Sequence, residues 1–171
     1  IRPFCVYVVF YGDFYMKKAI VLTYAEVSYK EKILLQKTSI FKLALNNHVE
    51  ELNPNARIIT DYILPRIFRE FSQKIISVRD RFKYNSFRVE YFDEEFKGST
   101  IVAAVEYLLF KGFNAILIVG DNMVNSVEFQ KEVNTNINKI FEDKDRSFFI
   151  YQYKKGNFCL PVKSVEEFIH Y

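Results

Sequence analysis

Chemically reactive side chains are scarce in this sequence. It has two cysteines, Cys5 and Cys159, and two histidines, His48 and His170. The cysteines stand far apart and match no metal or redox spacing. That excludes a disulfide scaffold and a cysteine-held metal, and it suits free thiols in a reducing, cytoplasmic compartment. Four prolines form no linker, and no repeat or low-complexity segment divides the chain. Charge of one sign is also missing: 24 basic residues face 21 acidic ones, for a net charge of +3. A balance that close gives no signal for nucleic acid or for a membrane surface. No apolar run is long enough to cross a bilayer, which takes roughly 20 residues. The apolar start, Ile1 to Tyr15, has no small-residue cleavage site of the kind a signal peptide carries. Tryptophan is absent, whereas Phe, Tyr, Ile, Lys and Asn abound. These share AT-rich codons, which suits a bacterium with an AT-rich genome.

What is present is ample material for a core. Half of the 171 residues are hydrophobic and 18% are aromatic, which argues against disorder. The length fits one domain. Residues 1–15 read as an extra segment: either an added edge strand over Val6 to Phe10, or residues ahead of a natural start at Met16. From there, residues 16–171 alternate between two patterns. KAIVLT (Lys18–Thr23) is apolar without polar alternation, the mark of a strand covered on both faces. Further strands are expected over Ser39–Leu45, Ala56–Thr60, Lys74–Val78, Phe87–Phe92, Ala115–Val119 and Phe148–Tyr153. Helical patterns fall over Ser28–Lys37, Tyr62–Phe71, Ser99–Lys111 and Ser126–Asp143. The third helix opens on Ser/Thr and stops at Gly112, as helix ends prefer. Strands alternating with helices predict a single α/β domain with a mostly parallel, Rossmann-like sheet and helices on both faces.

In such a sheet, ligands bind beyond the carboxyl ends of the strands. The residues there are polar. Gly98-Ser99-Thr100 opens a helix, where glycine lets a ligand approach and free N–H groups favour a phosphate; the alternative is an ordinary N-cap. Gly120-Asp121-Asn122 follows AILIV, and Asp121 either meets a sugar hydroxyl or caps the next helix. Asn46 and Asn47 either read a nucleotide through their amides or form a turn. Asp61 follows the third strand. His48 is either a general base or an exposed loop histidine.

The segment GSTIVAAVEYLLFKGFNAILIVGDN, Gly98 to Asn122, resembles a signature shared by two related groups. One is the Campylobacter-type bacterial sialyltransferases. The other is the motility-accessory-factor, or 6-hydroxymethylpterin pyrophosphokinase-like, group. The earlier KKAIVLT, LALNN and ARIITD follow a similar order, so the resemblance runs over Met16 to Asn122. It implies that Ser99 and Thr100 lie near a donor phosphate, that Asn46 contacts the nucleotide, and that Asp61 and Gly120 border the ligand. Asp121 stands one residue before the family's acid. The family's Gly-x-Gly-Pro-Ser turn after the first strand is replaced by Thr23-Tyr24-Ala25-Glu26-Val27-Ser28, where only Ser28 matches. The resemblance implies a nucleotide-sugar-dependent transferase for surface glycans, with a small nucleotide or sugar ligand. The sialyltransferases' catalytic histidine lies in a later segment that has no placed counterpart here, so the candidate catalytic groups are His48 and Asp121, read from their own positions, and no resident metal is expected. Two alternatives stay open: a non-catalytic binding protein on the same fold, or a phosphotransferase using Asp61 and Asp121 with magnesium.

Overall fold

The computed structural model describes residues 16–23, 26–46, 50–59, 72–78, 88–92, 99–120, 127–143, 147–154 and 158–170. Seven strands form one sheet: β1 Lys18–Leu22, β2 Phe41–Leu45, β3 Ala56–Ile59, β4 Lys74–Ser77, β5 Val89–Tyr91, β6 Ala115–Val119 and β7 Phe149–Gln152. Their order is β5-β4-β3-β2-β1-β6-β7, and every neighbouring pair is parallel. The expected α/β class and its parallel sheet are therefore found.

Alternation along each strand assigns the core. Ala19 and Val21 of β1, with Ile116 and Ile118 of β6, point to one face. Ile20 and Leu22, with Leu117 and Val119, point to the other. Both sets are apolar, so both faces need a cover. Helices α2 (Thr100–Phe110) and α3 (Val127–Asp143) cover the first face, through Ile101, Val105, Leu108, Val133 and Ile137. Helices α1 (Tyr29–Lys37) and α4 (Val165–His170) cover the second, through Leu35, Val165 and Phe168. Gln152 stitches the 158–163 segment along β7. Its backbone N–H donates to the Pro161 carbonyl at 2.9 Å and its amide donates to the Phe158 and Leu160 carbonyls.

The observed bounds are shorter by one or two residues than the sequence pattern at several ends, since terminal residues leave the ladder or the last helical turn. The six-residue α4 was not expected, because one and a half turns show little periodicity. Its sequence signal is Ser164-x-x-Glu167, whose side chains and backbone N–H groups exchange hydrogen bonds at 3.1 and 3.4 Å. That is a capping box. The helix expected over Tyr62–Phe71 and the strand expected over Val6–Phe10 lie outside the described residues.

Helix α2 stops as its sequence requires. Gly112 has φ +89, a left-handed conformation that suits glycine. Gly112 N–H reaches the Leu109 carbonyl and Phe113 N–H reaches that of Leu108, both at 3.0 Å. This pair of bonds is the Schellman arrangement. Beside it, Glu90 on β5 accepts from Lys111 at 2.6 Å, from Lys74 at 2.8 Å and from the Tyr107 hydroxyl at 2.9 Å. Burial alone would raise the Glu90 carboxyl, but these three donors outweigh it and pull it down to about 2. Its own burial, and then the Glu90 carboxylate, hold Tyr107 well above the usual phenol range. The folded value lies below the ordinary 4.5, so the stabilisation is complete above that pH and is lost as pH falls toward 2. We expect roughly 1–2 kcal/mol to disappear across that window after allowance for solvent screening. In Glu90→Gln the acid unfolding curve should lose this component; an unchanged curve would mean that the cluster adds nothing.

Candidate functional site

Between β1 and β6 the chain reverses the direction in which it lays down strands. Connections from β1 lead one way across the sheet and those from β6 lead the other, the strand order at which sheets of this class form their ligand crevice. The two strands stay bonded to their last residues: the Thr23 N–H donates to the Val119 carbonyl at 3.0 Å. Just past that bond, Gly120 has φ +108, a conformation open to glycine and strained for other residues. The expected turn after AILIV is thus located at the switch point.

Asn46 lies at the same edge, one strand away. It follows β2 directly, with φ +48. Its N–H donates to the Ile58 carbonyl at 2.9 Å, and its own carbonyl accepts from Arg57 Nη1 at 3.0 Å. Asparagine tolerates this left-handed geometry better than most residues, so the turn reading of Asn46 holds in the backbone.

Ser99 and Thr100 reach this edge through α2. The carboxyl end of α2 sits at the amino edge of the sheet: Lys17 Nζ donates to the Lys111 carbonyl at 3.2 Å, and the Asn114 N–H to the Lys17 carbonyl at 2.9 Å. Eleven helical residues and five strand residues are each about 16 Å long. The start of α2 therefore lies level with the strands' carboxyl ends. Ser99 occupies the N-cap position in extended conformation, yet its side chain makes no capping hydrogen bond. The ordinary-cap reading is corrected here: Ser99 is 2% exposed, and its Oγ finds no partner among the described residues. Gln152 Oε1, at the carboxyl end of β7 on the same face as Ile150, is likewise buried without a partner among them. Buried polar atoms of this kind call for a water or a ligand. His48, Asp61, Gly98 and Asp121 lie outside the described residues.

One feature of the edge was not anticipated. The first helix after β1 is where a parallel dinucleotide-binding sheet seats its phosphate. Here α1 carries a complete capping box: the Glu31 N–H donates to Ser28 Oγ and the Ser28 N–H to Glu31 Oε1, both at 3.2 Å. Tyr153, just past β7, also donates its hydroxyl to Glu31. Burial would raise the Glu31 carboxyl, but donation from Tyr153 and Ser28, together with nearby Lys154, lowers it. Burial and Glu31 push Tyr153 well above the ordinary phenol value. The chain thus places its own carboxylate at the start of α1. Ser28-x-x-Glu31 was legible as a capping box; Tyr153 had no such signal, because it follows β7, more than a hundred residues further along the chain.

No group of three or more His, Cys, Asp or Glu suited to a metal ion occurs among the described residues. None of their helices is long and apolar enough to cross a membrane. Comparison with protein-family models, with curated proteins and with solved structures finds no match to this chain.

Proposed function

We propose that the chain binds a nucleotide-type ligand at the carboxyl edge, with its phosphate at the start of α2. The observation that carries this reading is the buried, unpartnered Ser99 hydroxyl at a helix start level with the switch point. A helix start offers N–H donors and the positive end of the helix dipole to an anion. The finer proposal follows the family resemblance: a transferase that uses a nucleotide sugar. In that reaction an acceptor hydroxyl attacks the anomeric carbon. The bond from that carbon to the phosphate oxygen breaks, the nucleotide leaves, and His48 or Asp121 takes the acceptor's proton.

Calorimetry with cytidine, uridine and adenine nucleotides tests the binding. We expect at least one to bind more tightly than about 1 mM, about −4 kcal/mol; weaker binding throughout would remove the proposal. Ser99→Ala should weaken that ligand by about 0.5–1.5 kcal/mol, the net worth of one hydrogen bond. Without ligand, its melting temperature should hold or rise slightly, because the hydroxyl caps nothing and the substitution removes a buried unpaired group. A clear fall in ligand-free stability would mean that Ser99 caps α2 after all.

A second reading, a non-catalytic binding protein, is favoured by Glu31. With a carboxylate already at the start of α1 and no glycine turn ahead of it, the usual phosphate seat of the fold is taken. Turnover of a nucleotide sugar by the purified chain separates the two readings: release of free nucleotide supports the transferase, and binding without release supports the second.

A further inference from the structure

We propose that Arg57 is a positioning residue: its buried guanidinium locks the left-handed turn at Asn46, so that the Asn46 side chain meets a ligand in one fixed orientation. The inference rests on the ligand reading of the carboxyl edge given above.

Arg57 is the second residue of β3 and is 0% exposed. Its register partners are Ala44 on β2 and Ile75 on β4. Ala44 is small, which leaves room for a long side chain beside it. Its two register partners are apolar, although Lys42 and Ser77, diagonal to it on the same face, are buried and polar. Burying a guanidinium is costly, because it leaves its hydration shell. The ladder between β2 and β3 does not need the extra tie, since Leu43, Ala44 and Leu45 already pair with Ala56, Arg57 and Ile58.

The arginine ties β3 to the turn after β2. Nη1 donates to the Asn46 carbonyl at 3.0 Å, while the Asn46 N–H is held by the Ile58 carbonyl at 2.9 Å. Both backbone polar groups of Asn46 are thus fixed by adjacent residues of β3. A positive φ is uncommon outside glycine, even though asparagine tolerates it best, and a buried guanidinium gives up its hydration. Both converge on one residue, at a strand end beside the switch point. Local costs of this kind persist where the surroundings over-determine them, and they cluster at ligand sites. A rigid ledge under Asn46 lowers the ordering cost of binding, the usual benefit of preorganisation.

The test uses the full chain with Arg57→Lys, which keeps the charge and loses the planar fork. Arg57→Gln, which keeps a donor without the charge, carries the same test should Arg57→Lys not fold. Amide hydrogen exchange should be at least tenfold faster at Asn46, while Leu117 in β6 keeps its wild-type protection. The nucleotide retained by the wild type should bind at least tenfold more weakly. Asn46→Ala and the double variant should bind it alike, because the arginine acts through the asparagine. Unchanged exchange at Asn46 overturns the proposal. So does an affinity loss from Arg57→Lys that adds in full to that of Asn46→Ala. A wild type that binds no nucleotide overturns the ligand half together with the proposed function; faster exchange at Asn46 would then still support the structural half.

Discussion

Ile118→Ala should lower the stability of the chain by about 3–4 kcal/mol, the usual cost of truncating a fully buried branched side chain. For a chain of this size that corresponds to a fall of about 10 °C in melting temperature. The reason lies in the position of β6. Its neighbours β1 and β7 pair with it on both sides, with Val21 and Gln152 in register with Ile118. Its side chain is buried on the face covered by α2 and α3. No solvent-facing side is left toward which neighbours could relax, so the vacated volume stays as a cavity. Ile118→Val removes one methylene and should cost about 0.5–1.5 kcal/mol. Tyr29→Ala is the control, since Tyr29 is 79% exposed and should stay within about 0.5 kcal/mol of wild type. Thermal or denaturant unfolding measures all three. If Ile118→Ala fell within 1 kcal/mol of Tyr29→Ala, β6 would not be the doubly covered strand described above.

Leu117 and Ile118 also show why the fold was legible. A run such as AILIV contains no polar residue at either alternation, so any register buries both faces. KAIVL carries the same information. The pattern put both runs parallel in one sheet; that β1 and β6 pair directly, across nearly a hundred intervening residues, comes from the strand order. Ends were less legible than centres: Ser39 and Val78 share the composition of the strands nearby, and only the hydrogen-bond ladder shows where each strand stops.

The candidate site was legible in its placement and much less so in its chemistry. Gly120 and Asn46 could be put at the carboxyl edge from the strand pattern alone, and both adopt left-handed backbone there. Arg57 could not be read as a partner of Asn46. Within ARIIT nothing in the pattern marks it as buried, and the small Ala44 beside it lets it turn inward. Ser99 misled in the other direction. Its place before a helix predicts a cap, and the backbone obeys, but the hydroxyl makes no bond to the first turn. Glu31 falls between these cases. The capping box is visible in the sequence, whereas its consequence, a carboxylate at the phosphate seat of the first helix, depends on Tyr153 arriving from the other end of the chain.

Gly120→Val should cost about 2–3 kcal/mol of stability and remove nucleotide binding together. At φ +108 a β-branched side chain meets its own backbone, and strain of this kind costs of order 1–3 kcal/mol. The turn cannot easily relax, because Val119 on its amino side is held by the Thr23 N–H as well as by the β1 ladder. The switch point is also where a ligand must pass closest to the backbone, so an isopropyl group would stand in the crevice. The two effects separate by comparison with Gly112→Val. Gly112 also has positive φ, at +89, and a side chain there would meet nothing within 4 Å. It lies at the amino edge, far from the proposed ligand, so its replacement should carry a similar stability cost and leave nucleotide affinity unchanged below the melting transition. Equal loss of binding in both variants would trace the effect to stability alone. Full binding by Gly120→Val would place the ligand somewhere other than the crevice between β1 and β6.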